Sequence, residues 1–281
     1  MTTLGGLVDR VYRDWLHPGD EQPARTRLTA AVTSGASTWP IDETVFAADE
    51  VDMLAPGVVV EAGVEQALIR DRSGGTLTLT RGVNGTVAAA QSSGAIVTVA
   101  PTFGRQTVLD AVADSVVSLW PQLWHPKATA ATVALPLTEL PADFGAADHW
   151  RPTDQTTIAP RFPFEAITDP DAANGMSALI DDEAGTEGFL VYRARFLRPT
   201  AEADDLTATF GVRAEWERIV AVGAVAQILF GTPELDPVVA EYVTRQLEAE
   251  SFPPRTSGQI AARLMQLRDE LLREAAAGLR Q

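Results

Sequence analysis

The 281-residue sequence contains no cysteine, which excludes disulfides, thiolate metal ligands and a cysteine nucleophile. It has a single lysine, Lys127, and three histidines that lie far apart, so a histidine-rich metal site would have to assemble from distant segments. No apolar run approaches the roughly 18 residues that a transmembrane helix needs, and residues 1–4 lack the positive charge that opens a signal peptide. We therefore expect a soluble protein that is synthesised in the cytoplasm.

The common catalytic motifs are also missing. The sequence has no phosphate-binding loop, no dinucleotide-binding glycine pattern, no His-Glu-x-x-His and no Gly-x-Ser-x-Gly. The acidic residues 169–183 come nearest to a calcium loop, but Ala173 and Ile180 stand where two of its oxygen ligands belong. The sequence therefore predicts a protein that is not an enzyme, with no catalytic residue, no metal site and no cofactor.

Acidic residues outnumber basic ones by 38 to 22, which gives a net charge of −16. A chain this acidic is not expected to bind the phosphates of nucleic acid directly. Residues 128–206 carry 14 acidic and 5 basic residues, so this quarter of the chain holds −9 of the net charge. The simplest explanation of these acids is that they keep the protein soluble.

Apolar residues recur every three or four positions in four segments, which indicates amphipathic helices. These segments are residues 4–16, 105–120, 215–230 and 258–279. A further helix is predicted from Asp236 to the Phe252-Pro253-Pro254 break. The first helix carries Trp15 on its apolar face and therefore needs a partner, for which residues 105–120 are the natural candidate.

A period of two and closely spaced turn signals indicate strands in two other regions. Residues 25–101 predict an antiparallel barrel or sandwich, and residues 128–206 predict a second, proline-rich β region with short strands. With apolar residues at 46%, the chain can bury a core, and its length suggests about two domains. The predicted fold class is α+β. A helical bundle of residues 1–24, 102–127 and 207–281 carries two inserted antiparallel β modules, 25–101 and 128–206.

The tryptophans divide into two groups by their surroundings. Trp15, Trp120 and Trp124 stand at helical spacing beside leucine and valine, which predicts core positions. Trp39 and Trp150 stand among polar residues, so that either can bind to a partner protein or cover a loop.

One stretch resembles a known protein family. Residues 76–90 read TLTLTRGVNGTVAAA and are followed by Gly94 and a strand. This stretch is similar to a β module common in structural proteins of phages of Actinobacteria. Within it, Gly82 and Asn84-Gly85 are explained by the positive φ angles of a turn that leaves a strand. The layout of the whole chain resembles the head-to-tail adaptor (connector) proteins of tailed phages, in which helices form a bundle with β segments between them.

The resemblance implies a structural virion protein at the head–tail interface, synthesised in the host cytoplasm. Such adaptors form a homo-oligomeric ring, usually dodecameric, beneath the portal protein and above the next neck or tail protein. DNA passes through the ring without specific binding, and no membrane is involved. The alternative is a minor tail or baseplate protein whose β modules contact the host surface or carbohydrate.

Two candidate sites follow from this resemblance. Acidic side chains are expected to face the ring lumen or the next ring, and they are Asp169, Asp171, Asp181, Asp182 and Glu183. The last helix is expected to dock on portal or on neighbouring subunits, through Arg263, Leu264, Leu267, Arg268, Leu271 and Arg273. The alternative for the acids is a role in solubility alone, and for the helix an ordinary position in the bundle.

Overall fold

The computed structural model describes residues 2–16, 24–45, 51–132, 137–152, 162–180, 187–232, 239–240, 243 and 256–279. Its contacts divide the chain into two compact units. One unit contains Leu4–Val112 and Ala221–Met265, and the other contains Met1–Thr3, Ala113–Val220 and Gln266–Gln281.

The first unit contains a six-stranded antiparallel sheet in the order β1-β6-β3-β4-β5-β2. Its strands are β1 (Arg25–Arg27), β2 (Thr38–Pro40), β3 (Val59–Ala62), β4 (Glu65–Ser73), β5 (Thr76–Arg81) and β6 (Ile96–Val99). The two edge strands meet where Leu28 bridges to Ile41, and Thr29 N–H donates to the Pro40 carbonyl at 2.9 Å. The sheet therefore curls into a small barrel.

Alternation along the strands fills the barrel with apolar side chains. In β5, Leu77 and Leu79 are buried, whereas Thr78 and Thr80 face outward. Trp39 on β2 is paired with Leu77 and fully buried, so it is a core residue rather than a contact for a partner. The strand expected after Gly94 is confirmed by β6, and the alternating residues that open the stretch 76–90 form β5.

The resembling stretch, residues 76–90, is held in place by an ion pair inside the barrel. Arg81 follows Leu77 and Leu79 on the inward side, and it binds the fully buried Glu65 at 2.6 Å (Nε to Oε1) and 2.5 Å (Nη2 to Oε2). Arg81 also donates to the carbonyls of Ala36 and Ala89. The predicted turn is confirmed, since Gly82, Asn84 and Gly85 have φ angles of 66°, 53° and 80°.

The helices begin and end close to their predicted positions. They are α1 (Leu4–Val11), α2 (Arg105–Val117), α3 (Glu217–Phe230) and α4 (Ser257–Gly278), and a π-helical turn, Tyr12–Leu16, continues α1. The predicted helix from Asp236 lies largely outside the described residues, of which 239, 240 and 243 are helical. In α1 the stripe Leu4, Leu7, Val8 and Val11 is buried, as its spacing predicts.

The second unit contains two three-stranded antiparallel sheets, β7-β12-β9 and β10-β11-β8. The strands are β7 (His125–Thr132), β8 (Leu137–Glu139), β9 (Phe144–Pro152), β10 (Phe164–Thr168), β11 (Met176–Ile180) and β12 (Glu187–Ala194). A bridge between Trp150 and Phe162 connects the two sheets. Trp150 is fully buried in their common core, so it too is a core residue.

The predicted helical bundle with two inserted β modules is wrong. Within the described ranges the chain is mainly β, with three sheets and helices α1 to α4. The error concerns the architecture and not the location of the strands, because β1 to β12 lie in the two regions predicted to be β, apart from the first three residues of β7. The sheets also build their own cores from strand residues, so they are the main architecture and not inserts.

Among α1 to α4, none is both long and apolar enough to cross a membrane.

Candidate functional site

A row of polar side chains crosses the outside of the barrel. Arg25 on β1 pairs with Thr98 on β6, Thr98 pairs with Glu61 on β3, and Glu61 pairs with Gln66 on β4. The neighbouring row, which contains Val60, Val99 and Ala67, faces the core. Because residues alternate between the two faces of a strand, the polar row faces outward.

One end of this row is covered by the start of α2. The Glu61 carboxylate accepts the Arg105 N–H at 2.7 Å and the Gln66 Nε2 at 3.2 Å, both at Oε2. The positive end of the helix dipole favours a carboxylate at this point. A Cβ on the preceding residue, Gly104, would lie 2.2 Å from Gln66 Nε2, so a larger residue there would displace the Gln66 side chain. Glu61 therefore fixes the first turn of α2 against the barrel.

Arg25, Thr98 and Glu61 of this row line a cleft of about 690 Å³, which we call the arginine cleft. Three arginines and two acids line it, and they are Arg13, Arg25, Arg105, Asp9 and Glu61. Its other lining residues include Tyr12, Gln91, Thr98 and the apolar Ile96, Pro101 and Phe103. A volume of this size accommodates a short peptide segment or a small molecule.

Two of the three arginines in the arginine cleft form ion pairs. Arg105 Nη1 binds Asp9 Oδ1 at 2.7 Å, and Arg13 Nε binds Asp14 Oδ1 at 2.9 Å. Within the described part of the chain, the exposed Arg25 has no side-chain hydrogen bond and no ion pair. A guanidinium in this position suits a carboxylate, which it can bind through two parallel hydrogen bonds.

Burial shifts the protonation of Tyr12 and Glu61 towards their neutral forms. The Tyr12 hydroxyl donates to the Phe103 carbonyl at 2.8 Å, and burial raises the pKa of this phenol well above its usual range. The phenol therefore stays protonated at neutral pH. Burial also raises the pKa of Glu61, although the hydrogen bonds from Arg105 and Gln66 act in the opposite direction.

We expect Glu61→Gln to remove part of the pH dependence of stability. A carboxyl whose pKa is higher in the folded state binds more protons there than in the unfolded chain, so stability falls as pH rises above about 4.5. The slope cannot exceed about 1.4 kcal/mol per pH unit for one group. Urea unfolding of both proteins at several pH values between 4.5 and 8 measures their free energies of unfolding. The two values should be equal at low pH, and Glu61→Gln should be the more stable protein at high pH.

Gln66→Met provides the complementary variant. It removes a hydrogen bond that lowers the pKa of Glu61, so the fall in stability should extend to higher pH. A difference between Glu61→Gln and the natural chain that does not vary with pH would contradict the account of Glu61.

The predicted acidic site is only partly described. Asp169 and Asp171 lie in the turn between β10 and β11, and Asp181, Asp182 and Glu183 lie outside the described residues. Asp169 accepts hydrogen bonds from Ser177 Oγ at 2.6 Å and from the Asp171 N–H at 3.0 Å, and these bonds lower its pKa. Asp171 is exposed. Among the described residues, no group of three or more histidines and acids could hold a metal ion.

The predicted docking helix is α4, and its six predicted residues form three pairs that differ in burial. Leu264 and Arg268 are buried, and Arg268 Nη2 donates to Ser118 at its carbonyl (3.0 Å) and its Oγ (2.7 Å). Leu267 and Leu271 are half-buried, and Arg263 and Arg273 are exposed. The helix therefore uses Leu264 and Arg268 within its own chain and leaves the two arginines accessible.

Sequence reasoning missed the arginine cleft. Arg25 and Glu61 are 36 residues apart, and only the pairing of β1 and β3 with β6 brings them into one row. One signal was present in the sequence, since Glu61 interrupts the apolar run of β3. A polar residue in such a strand indicates a position that faces out of the barrel and is covered by another element. Which residues lie beside it depends on the order of the strands.

Comparison with known proteins finds no family model that matches the chain and no curated protein that matches its sequence.

Proposed function

We propose that the chain is a structural subunit of a tailed phage particle, a head-to-tail adaptor that forms a homo-oligomeric ring beneath the portal. The observation that carries this proposal is the similarity of residues 76–90 to a β module of phage structural proteins. In this stretch, polar side chains hold a loop rather than expose a reactive group: Arg81 binds Glu65 inside the barrel, and Asn84 Nδ2 donates to Gln66 Oε1 at 2.7 Å. In the same loop, Val87 is 79% exposed. An exposed apolar side chain on a loop that is held by hydrogen bonds suits a contact with another subunit.

The charge of the chain supports a position around DNA. Region 128–206 holds a balance of −9, and its exposed acids include Asp148, Glu165 and Asp171. An acidic wall repels phosphate without regard to base sequence, so DNA can slide past it without being bound. We propose that the predicted acids face the lumen of the ring or the next neck or tail protein; they are Asp169 and Asp171, together with Asp181, Asp182 and Glu183 outside the described residues.

The accessible face of α4 supports the proposed contact with portal or a neighbouring subunit. Arg263 and Arg273 are exposed on this helix, as are the acids Asp269, Glu270 and Glu274. Charged residues on one accessible helix face select partners and orientation more than they add affinity. Leu267 and Leu271, both half-buried, would become covered in the complex.

A second candidate function is favoured by the mainly β fold. Twelve strands in three sheets within the described residues suit a minor tail or baseplate protein that contacts the host surface or carbohydrate. Both candidates place the chain in the particle, and they differ in the number of copies.

The number of copies per purified virion tests the proposal. We expect quantitative mass spectrometry to find this chain and the portal protein in a ratio of one to one, because a ring that docks on portal shares its symmetry. Three or six copies per particle would assign the chain to the tail tip instead. Absence from purified particles would overturn both functions, and a known capsid protein measured in the same sample provides the internal control.

A further inference from the structure

We infer that His125 is a pH-sensitive contact, which holds a loop closed while its imidazole is neutral and releases the loop when the imidazole is protonated. The loop consists of residues 196–211, which we call the strap. Apart from short turns and one bridge, the strap contains neither helix nor strand. This behaviour is a property of the single chain, so it goes beyond the proposed function and does not depend on it.

The imidazole of His125 lies between the two ends of the strap. At one end, the buried Phe196 ring packs against it with the ring centres 5.8 Å apart. At the other end, a Cβ on Gly211 would lie only 2.6 Å from Cδ2 and 2.8 Å from Nε2 of the same imidazole. Gly211 also has a φ angle of 73°, which glycine adopts without strain. One side chain of β7 therefore contacts both ends of the strap.

The middle of the strap is joined to residues 2 and 3. Thr3 bridges to Asp205, and the Leu206 N–H donates to the Thr2 carbonyl at 3.0 Å. Leu206 is fully buried, and its carbonyl accepts the Val212 N–H at 2.9 Å. Opening of the strap would therefore expose Leu206 to water and release residues 2 and 3.

The surroundings of His125 disfavour its protonated form. Burial is the main cause and lowers the pKa of the imidazole below its ordinary value. The positive charges of Lys127, on the same strand, and of Arg213, just beyond the strap, act in the same direction, whereas Asp143 acts against them. The closed strap is therefore compatible with the neutral imidazole and strained by a positive charge.

The charged groups around His125 are already engaged with other partners. The Asp143 carboxylate accepts Lys127 Nζ at 2.6 Å and the Tyr192 hydroxyl at 2.8 Å. Arg213 lies 3.7 Å from the Glu215 carboxylate. Within the described part of the chain, neither ring nitrogen of His125 has a hydrogen-bond partner. No acceptor in these residues is thus in place to stabilise an imidazolium in the closed strap.

The direction of the pH effect follows from the lowered pKa of His125. A group with this shift stabilises the closed state above its ordinary pKa of 6.5, and the stabilisation is lost as pH falls below that value. In the open state the imidazole is in water and binds a proton more readily, so mild acid favours opening. One titrating group changes the open population by at most about tenfold per pH unit.

Hydrogen exchange of the purified chain, measured by mass spectrometry at pH 7.5 and pH 5.5, tests the inference. After correction for the intrinsic exchange rate at each pH, we expect the protection factors of strap peptides to fall by about threefold or more at pH 5.5. Peptides from β12, the central strand of its sheet in the same unit, provide the internal reference and should change less than the strap.

His125→Phe is the decisive variant, because a phenyl ring can pack on Phe196 and cannot be protonated. We expect the strap of this variant to keep the same protection at both pH values. His149→Phe is the matched control, since His149 is another half-buried histidine of the same unit and lies on β9, outside the strap. Its strap should open at pH 5.5 as in the natural chain.

A second measurement on the natural chain keeps the test valid if His125→Phe does not fold. Nuclear magnetic resonance of the chain with ¹³C-labelled histidine gives the pH at which His125 titrates. Its midpoint should lie below 6.5 and coincide with the midpoint of strap opening.

Three results would overturn the inference. They are a strap that keeps its protection at pH 5.5 in the natural chain, an equal loss in His125→Phe, and a His125 midpoint that differs from that of strap opening. These measurements use the isolated chain, whereas the copy number is measured on virions. A failure of either result therefore leaves the other unaffected.

Discussion

Arg81→Ala is expected to lower the free energy of unfolding by about 3–5 kcal/mol, the cost of leaving one partner of a buried ion pair alone. Glu65 is completely buried, and its carboxylate binds Arg81 through two hydrogen bonds and accepts the Ala89 N–H at 2.9 Å. Arg81 also joins the loops of residues 33–36 and 82–91 to the barrel. Removing Arg81 therefore leaves the buried Glu65 carboxylate without its cationic partner and breaks the hydrogen bonds to both loops. Urea unfolding monitored by circular dichroism measures the loss.

The matched control for this prediction is Arg70→Ala. Arg70 is exposed and makes one side-chain hydrogen bond, so its removal should cost less than about 1 kcal/mol. Arg81→Lys should fall between the two, because lysine keeps the charge and loses the planar fork that binds both oxygens of Glu65. If Arg81→Ala proved as mild as Arg70→Ala, the ion pair would not hold residues 76–90.

Trp150→Ala is expected to have a comparable effect, about 3–5 kcal/mol, in the other compact unit. Trp150 on β9 is fully buried and pairs with Leu190 on β12 and with Phe162. Beside it, a Cβ on Gly188 would come within 2.6 Å of Trp150 Cζ2, so the glycine provides the room that the indole occupies. Alanine in place of Trp150 would leave a cavity at the point where the two sheets are bridged. Thermal unfolding, with hydrogen exchange of residues 144–152 and 187–194, locates the loss.

Trp124→Ala is the matched control because Trp124 is half-buried and stacks against Arg193, whose guanidinium lies 4.8 Å from the indole centre. Its removal should cost less than half as much as that of Trp150. An equal loss from both variants would indicate that Trp150 is not the central residue of this core.

Residues 76–90 carry the similarity to phage structural proteins and also stabilise the barrel. The stretch of residues 76–90 was recognised from its sequence, and the structure assigns its residues to holding a barrel together. Arg81, Gln66 and Thr86 are satisfied by neighbours in the same barrel, since Gln66 N–H donates to Thr86 Oγ1 at 3.0 Å. The copy number in the virion therefore tests the proposed adaptor function independently of the role of these residues in the barrel.

Local regularities were predictable wherever they extend over enough residues. The helices at residues 105–120 and 258–279 were found at Arg105–Val117 and Ser257–Gly278, because several turns of apolar spacing identify a helix. The six residues of β5 show clear alternation, and the glycines that follow have the expected positive φ angles. Strands of three residues, such as β1 and β2, give no periodic signal, so the sequence located the β regions but not each strand or the order in which the strands pair.

The sequence by itself determined the charge of the molecule, the positions of its long helices, the strand and turn of residues 76–90 and the absence of familiar catalytic motifs. The tertiary structure alone decided that the barrel closes at Leu28 and Ile41, that Arg268 is buried and that Arg25 and Glu61 lie in one row. The physical reason is the range of the interactions. Helix spacing and turn chemistry act within a few residues, whereas strand order and burial depend on segments that meet only when the chain has folded.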